Sequence, residues 1–283
     1  MRMTIVTMKH PLLTSLSLAA LVSTAFGQPV AGPVSSAAPL ALVTTVRAQD
    51  PAADKNPEIA AKIEKAKGLW GDRKGAKDAD VIAVIDELNQ AYKTCGPKDK
   101  ASIVSFLGKT FELKRDEVSE GVPNNKVMLA AAVSLGEMGS EAVKTLEAWI
   151  DHKTLRKDLA LQSRLILSLG KTKDPAATKT LIKLLEHKDA PLVSAAAQGL
   201  GEFDKVDLKI RKDAFESMLK VLMSALNTKD SNPQDLIAKD RYDVIASPII
   251  TSLGKLSGHN ERDPQEWQRW WNKNKSKDWD KAE

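Results

Sequence analysis

A tetrapeptide with leucine and glycine in its middle recurs along the chain, and it constrains the fold more than any other feature. It reads FLGK, SLGE, SLGK, GLGE and SLGK in chain order. Its glycines are Gly108, Gly136, Gly170, Gly201 and Gly254. Successive glycines are 28, 34, 31 and 53 residues apart, and self-similarity at a period of about 20 to 50 residues is typical of stacked structural repeats. The spacing therefore predicts a repeat with one long insertion before its last copy.

The segments around these glycines have the periodicity of α-helices. From residue 56 onward apolar residues recur at helical spacing, and no stretch shows sustained alternation of apolar and polar residues. Each glycine ends an apolar run such as LVSAAAQGLG. Because a glycine just past a helix end can adopt the left-handed conformation that satisfies the last carbonyls, we predict that all five glycines are helix C-caps.

The sequence also indicates where helices begin. An Asn or Asp stands directly before a proline at Asn56, Asp174, Asn232 and Asp263, which places a side-chain acceptor at the N-cap and proline at the first helical position. The segments DPAATKTLIKLLEHK and DAPLVSAAAQGLG then form one pair of antiparallel helices. Because the small residues of the second helix allow close packing against its neighbours, we predict an all-α fold, an α-solenoid of stacked antiparallel helix pairs.

The stretches VSAAAQGLGEFD and SLGKTKDPAATKTLIKLLEHKD resemble HEAT-like repeats of the phycobilisome-lyase type over about residues 98–260. The resemblance implies a helical solenoid with an extended surface. Tetratricopeptide repeats have a similar period, but their regular aromatic positions do not recur here. Ser194 stands where the family commonly has arginine. In the long last interval, we expect a loop at NTKDSNPQD and a kink or split in the helix at Pro248.

The amino-terminal region is typical of an exported protein. Residues 1–27 carry Arg2 and Lys9 before an apolar run and a small-residue end, which is the pattern of a secretory signal peptide. Cleavage can also fall as late as residue 48, and an uncleaved anchor is the alternative. Residues 28–55 are predicted to be a linker or residual pre-sequence, and residues 56–97 to form an N-terminal helical cap. We therefore expect a periplasmic or extracellular protein.

Charge disfavours a nucleic-acid partner. The formal net charge of the whole chain is +5, but three basic residues and no acidic ones precede Asp50. Without residues 1–49 the chain has 39 basic and 37 acidic residues, which is too balanced to attract a polyanion over long range. Charged runs such as FELKRDEVSE are predicted to be solvated helix faces.

The sequence offers no recognisable catalytic constellation. Ser168 with Lys171 and Ser252 with Lys255 match S-x-x-K, the serine-nucleophile pattern of penicillin-recognising enzymes. Both pairs lie in the recurring tetrapeptide, and the other motifs of those enzymes are absent from the sequence. Cys95 is the single cysteine, so it has no partner for an intramolecular disulfide. The histidines lack the spacing of metal ligands. We expect no catalytic, cofactor-binding or metal-binding residues.

The carboxyl-terminal segment, residues 261–283, is predicted to be a capping helix with a basic tail. In DPQEWQRWW, Asp263 is the expected N-cap, Pro264 the first helical residue and Glu266 the second half of a capping box. Three tryptophans then share one helix face at spacing i, i+3, i+4, namely Trp267, Trp270 and Trp271. Because an open stack of repeats exposes the apolar side of its last unit, we expect this face to close it.

These patterns favour an exported, non-catalytic scaffold that presents a HEAT-like surface to another protein and is monomeric by itself. The resemblance also suggests a bilin-lyase-like enzyme or enzyme subunit. A third reading is attachment to the envelope or to polysaccharide through the tryptophan-rich end. No cofactor is implied, and no membrane contact is expected once the signal is removed.

Overall fold

The computed structural model describes residues 54–281, which form eleven α-helices. The predictions for the signal peptide, its cleavage site and the linker up to residue 53 lie outside the described residues. The helices are α1 Pro57–Gly68, α2 Asp78–Tyr92, α3 Pro97–Lys109, α4 Lys126–Gly136, α5 Ser140–Ile150, α6 Leu159–Lys171, α7 Ala177–Leu184, α8 Ala190–Leu200, α9 Leu208–Ser231, α10 Leu236–Ser257 and α11 Pro264–Asn274. The all-α prediction is confirmed. No helix in this range has the length and apolar character needed to cross a membrane.

The helices pack in sequential pairs and in two rows. Consecutive helices contact each other as α1 with α2, α3 with α4, and so on to α9 with α10. In the first row, α2, α4, α6, α8 and α10 each contact the next. In the second row, α1 contacts α3, α3 contacts α5, α7 contacts α9, and α9 contacts α11. A continuous cluster of buried apolar side chains runs between the rows.

The prediction that the recurring glycines are helix C-caps is wrong for four of the five and correct for Gly201, which caps α8 but not in the left-handed conformation. Four of them lie inside their helices: Gly108, Gly136, Gly170 and Gly254. Gly201 directly follows α8, but its φ of −65° and ψ of −11° are right-handed. Within residues 54–281 the glycines with positive φ are Gly75, Gly121, Gly139 and Gly258.

Three of the glycines instead allow close contact between helices of the first row, with a backbone at Gly136 and Gly170 and with a serine side chain at Gly201. A Cβ on Gly170 would lie 2.3 Å from the Cα of Gly199 in α8, and one on Gly136 would lie 3.0 Å from the Cα of Ser168 in α6. A Cβ on Gly201 would lie 2.6 Å from the Oγ of Ser252 in α10. In each case the third residue of one tetrapeptide meets the first residue of the next. The S-x-x-K serines are therefore packing residues.

The first tetrapeptide does not belong to this series. Gly108 lies in α3, a helix of the second row, and a Cβ there would meet Cγ2 of Thr145 in α5 at 2.8 Å. The interval of 28 residues between Gly108 and Gly136 is therefore not a repeat length. The copies that occupy equivalent places are the four in α4, α6, α8 and α10.

The last helix pair, α9 and α10, has a shorter connection than predicted and no split at Pro248. Residues 227–231 of the expected polar loop belong to α9. Pro248 lies inside α10, which is a single helix from Leu236 to Ser257. Asn232 ends α9 and does not cap α10; the Asp235 carboxylate does, accepting from the Ala238 N–H at 3.0 Å. The helix therefore starts at Leu236, three residues after the predicted Pro233.

The predicted helix starts at Asn56 and Asp263 agree with the structure, whereas α7 begins at Ala177, two residues after the predicted Pro175. The side chain of Asn56 accepts from the N–H of Glu58, and that of Asp263 accepts from the N–H of Gln265, each at 2.9 Å. Asp174 accepts from the Ala176 N–H at 2.8 Å just before α7.

The tryptophan-rich helix α11 packs its indoles against α9. Trp267 is fully buried, Trp271 nearly so, and Trp270 partly. Their ring centroids lie 5.7, 5.1 and 5.4 Å from that of Phe215 in α9. Trp279, which lies beyond the helix, also reaches Phe215 at 5.4 Å. The sequence predicted the shared face but not this fourth indole.

The predicted capping box is not formed. Glu266 pairs with Arg269 one turn later in α11, because a cationic partner attracts the carboxylate more strongly than a neutral N–H. The backbone N–H of Asp263 points instead to Glu261 Oε1 at 3.5 Å. The helix start depends on Asp263 and Pro264 alone.

Replacing Gly170 with alanine is expected to lower the free energy of unfolding by about 1–3 kcal/mol, because the added methyl forces two helix backbones apart. Gly68→Ala is the matched control: a Cβ there has no neighbour within 4 Å, so this helical site should be neutral or stabilised by up to about 1 kcal/mol. Urea unfolding followed by circular dichroism measures both. Equal midpoints for the two variants would contradict the close-approach argument.

Trp267→Ala is expected to lower the free energy of unfolding by about 3–5 kcal/mol, because it empties a fully buried indole site against Phe215. Arg269→Ala, on the exposed side of the same helix, should change stability by less than about 1 kcal/mol. Thermal melts followed by circular dichroism compare them. A melting temperature of the Trp267 variant equal to that of wild type would show that the cluster is not structural.

Candidate interaction groove

The longest connection within residues 54–281 precedes α4. Residues 113–125, which we call the valine loop, follow a 3₁₀ turn at Thr110–Glu112 and contain no helix. Connections longer than about 12 residues are uncommon in compact domains and are usually functional or disordered. The valine loop is hydrogen-bonded at its base and at its tip, which favours the functional alternative.

A buried ion pair anchors the base of the valine loop. The Arg115 guanidinium donates to Oδ1 of Asp78 from Nη2 at 2.7 Å and from Nε at 3.2 Å, and Nη1 donates to the Trp70 carbonyl at 3.2 Å. The two side chains are only 4% and 6% exposed. Because desolvating two charges is costly unless their geometry is well satisfied, this contact holds the loop in one position against the start of α2.

Backbone and amide contacts extend the anchor. The N–H of Asp116 donates to the Arg73 carbonyl at 3.0 Å, and Nδ2 of Asn124 donates to the Lys74 carbonyl at 3.2 Å. Both carbonyls belong to the connection between α1 and α2. The two ends of the loop are therefore tied to the same neighbouring segment.

The tip of the valine loop is a tight turn with two exposed valines. The N–H of Val118 donates to the carbonyl of Val122, and that of Val122 to the carbonyl of Ser119, each at 2.9 Å. Gly121 has a φ of 72°, a conformation that favours glycine. Val118 is 63% exposed and Val122 is 49% exposed. An ordered turn thus presents apolar side chains to solvent.

A groove of about 580 Å³, the loop groove, lies between the valine loop and the connection of residues 151–158. This volume is within the range of about 300–1,000 Å³ typical of ligand pockets. Its lining includes Phe111, Met128, Trp149 and His152. The Trp149 ring lies 5.4 Å from that of Phe111 and 4.4 Å from that of His152. The groove therefore has an aromatic wall made of side chains that support one another.

The two sides of the loop groove carry only small net charges of opposite sign, because Lys114 and Arg115 offset two carboxylates of the valine loop, and Asp151 and Asp158 offset two cations of the opposite connection. The valine loop carries three exposed carboxylates, those of Asp116, Glu117 and Glu120. The opposite connection carries three exposed cations, those of Lys153, Arg156 and Lys157. Glu117 and Lys157 line the groove itself. Lys114 and Asp158 line it as well, so each wall presents charges of both signs.

A hydrogen bond also joins the two sides of the loop groove. Nδ2 of Asn125, at the end of the valine loop, donates to Oδ2 of Asp158 at 2.7 Å. The other carboxylate oxygen of Asp158 accepts from the Leu161 N–H at 2.9 Å and so caps α6. The width of the groove at this end is therefore coupled to a helix start.

The residues that the sequence singled out lie elsewhere. Ser168 and Ser252 are buried between first-row helices, and Lys255 contacts Glu202 at 3.3 Å. The tryptophan cap lies at the opposite end of the helix order. No group of three or more His, Cys, Asp or Glu side chains in residues 54–281 is arranged to hold a metal ion.

Cys95 follows α2 and is half-buried. Burial raises the pKa of its thiol, and the nearby Asp99 carboxylate raises it further. Because the thiolate is the reactive form, most of Cys95 stays in the less reactive thiol form at neutral pH.

Sequence reasoning missed the loop groove for a specific reason. The run FELKRDEVSE was interpreted as a charged helix face, yet from Leu113 onward it is loop. The signal that could have found it is the turn-forming sequence GVPNN directly after that run, since Gly, Pro and Asn cluster in turns.

Comparison with models of known protein families found none that matches this chain. Comparison with curated proteins found no match either.

Breaking the buried pair by Arg115→Met is expected to lower the free energy of unfolding by about 3–5 kcal/mol, because Asp78 is left buried without its partner. The double variant Arg115→Met with Asp78→Leu should recover most of the loss. The exposed pair Arg73–Asp116 on the same loop is the control, and Arg73→Ala should change stability by less than about 1 kcal/mol. A double variant no more stable than the single one would contradict this account.

Proposed function

We propose that this chain is an exported, non-catalytic scaffold that binds another protein, built as a HEAT-like solenoid. The order of helix contacts supports the solenoid, since each helix pair contacts mainly the pairs before and after it. Such stacks offer long surfaces for protein partners and need no catalytic residues. The balanced charge supports a protein partner over nucleic acid.

The observation that carries the proposal is the loop groove with its anchored rim. Proteins bind where apolar and aromatic side chains lie within a polar border on a rigid support. Here Trp149 and His152 supply the aromatic wall and Arg115 the rigidity, and the exposed Val118 and Val122 adjoin the lining residues Glu117, Gly121 and Pro123 in sequence. We infer that the partner presents an extended segment with an apolar anchor side chain.

The other readings have less support. Attachment to polysaccharide needs free indole faces for stacking on sugars, whereas Trp267 and Trp271 are buried against Phe215. The bilin-lyase reading depends on repeat resemblance, which is analogy at the level of fold.

Affinity capture from an envelope extract of the source cells tests the scaffold. We expect the mature chain to enrich a protein that Val118→Asp with Val122→Asp fails to enrich, because two carboxylates on the rim oppose an apolar anchor. Val244→Asp, an exposed valine on α10, is the matched control and should enrich it equally. The captured protein is then purified, and its dissociation constant for each variant is measured by calorimetry.

Two results would count against this proposal. One is that wild type enriches nothing over an unrelated helical-repeat protein. The other is that the purified partner binds the loop variant and the α10 control with the same affinity, which would move the binding surface away from the loop groove.

A further inference from the structure

A cleft lies where the long hairpin of α9 and α10 meets the shorter helix pair before it. Helices α9 and α10 have 24 and 22 residues, whereas α7 and α8 have 8 and 11. At 1.5 Å per residue, α9 is roughly 24 Å longer than α7, so most of its length has no α7 beside it. A cleft of about 370 Å³, the α9 cleft, opens between the end of α7, the middle of α9 and the start of α10.

The floor of the α9 cleft is made of aliphatic side chains from three helices. They are Ile182 and Leu185 at the end of α7, Val221 and Ala225 in α9, and Ala238 in α10. Leu185 and Ala238 are buried, and the other three are half-buried. A concave apolar site of this volume is within the range of about 300–1,000 Å³ typical of small-molecule pockets.

Arg241 lines the α9 cleft and is held in place by neutral acceptors. Its Nη1 donates to the Lys188 carbonyl at 2.7 Å, and its Nη2 to the His187 carbonyl at 3.0 Å. No carboxylate within residues 54–281 forms an ion pair with it. Because a guanidinium has five N–H donors, three of them remain, among them the Nε–H, which is not shielded from solvent. The guanidinium is thus a fixed cation with donors to spare.

The other charges of the lining also favour an anionic ligand. They are Lys220 in α9 and Glu186 after α7, both exposed. Neither side chain forms an ion pair with a described residue. The lining therefore has two cations against one carboxylate, and the charge that is fixed in position is a cation. A ligand with a cationic head would meet repulsion there, whereas an anionic head would be attracted.

We propose that the α9 cleft binds a small amphiphile with a carboxylate head and an unbranched apolar tail, which is the chemistry of a medium-chain fatty acid. The tail covers the aliphatic floor, and the head accepts hydrogen bonds from the free donors of Arg241, with added attraction from Lys220. At the roughly 30 Å³ that one water occupies in the liquid, the cleft holds about twelve non-hydrogen atoms. Decanoate has this size.

This binding site is separate from the proposed function. The α9 cleft shares no lining residue with the loop groove. A chain with Val118→Asp and Val122→Asp should therefore bind decanoate like wild type, whether or not the loop groove binds a protein.

Calorimetric titration of the mature chain with decanoate measures the binding. Decanol and decyltrimethylammonium carry the same tail with a neutral and a cationic head, and each ligand is kept below the concentration at which it aggregates. We expect decanoate to bind one to one and roughly tenfold more tightly than either, because charge-assisted hydrogen bonds are about twice as strong as neutral ones. Absence of saturable decanoate binding, or equal affinities for the three ligands, would overturn the proposal.

Variants of the lining test where the ligand lies. Ala225→Phe fills the floor of the cleft and should abolish saturable binding of decanoate. Lys220→Gln, at an exposed side chain, should weaken decanoate binding by about threefold to tenfold and leave decanol unchanged. Lys239→Gln removes an exposed cation of α10 that does not line the cleft, so this matched control should bind like wild type.

Arg241→Gln should weaken decanoate binding by about tenfold and remove its advantage over decanol. Because Arg241 also holds the connection between α7 and α8, the circular dichroism spectrum of every variant is compared with that of wild type. Ala225→Phe and Lys220→Gln chains that keep the wild-type spectrum and bind decanoate with wild-type affinity would show that the ligand does not lie in the α9 cleft.

Discussion

Close approach of helix backbones in the first row is the constraint on which the rest of the fold depends. Gly136, Gly170 and Gly201 each stand where the next helix leaves no room for a Cβ. Backbones at this distance gain dispersion contacts along their length and fix how each pair sits on the one before. The second row, the connections and the loop groove all take their positions from that stacking.

Buried arginines tie chain segments to both ends of this stack. Arg115 ties the valine loop to Asp78 at the start of α2. Arg211, in α9, is buried and donates to Oδ1 of Asp280 at 2.6 Å and to the Leu256 carbonyl at 3.3 Å. In both places a guanidinium satisfies a carboxylate and a backbone carbonyl together, which its planar fork suits better than an ammonium would. The irregular segments are thereby as firmly placed as the helices.

Local sequence patterns predicted the helices well, because each pattern depends on residues within a single helix. These patterns are the apolar periodicity, an Asn or Asp before proline, and the spacing of the three tryptophans. Asn56 and Asp263 begin helices as expected, and Trp267 and Trp271 are buried together. The predictions that failed concern contacts between different helices. The role of Gly170 depends on Gly199 in another helix, and a one-dimensional pattern does not say which surfaces will meet. The loop groove was missed because its charges, taken alone, have the composition of a solvated helix face.

The contact between successive tetrapeptides also affects how the number of helix pairs in such a chain can change. Along the first row, the third residue of one copy meets the first residue of the next, and those first residues are small: Ser168, Gly199 and Ser252. A unit duplicated or lost in evolution would create a junction with the same steric fit as the existing ones. The number of helix pairs is therefore free to vary, while the two ends, one with the valine loop and one with the tryptophans, are not interchangeable with anything between them.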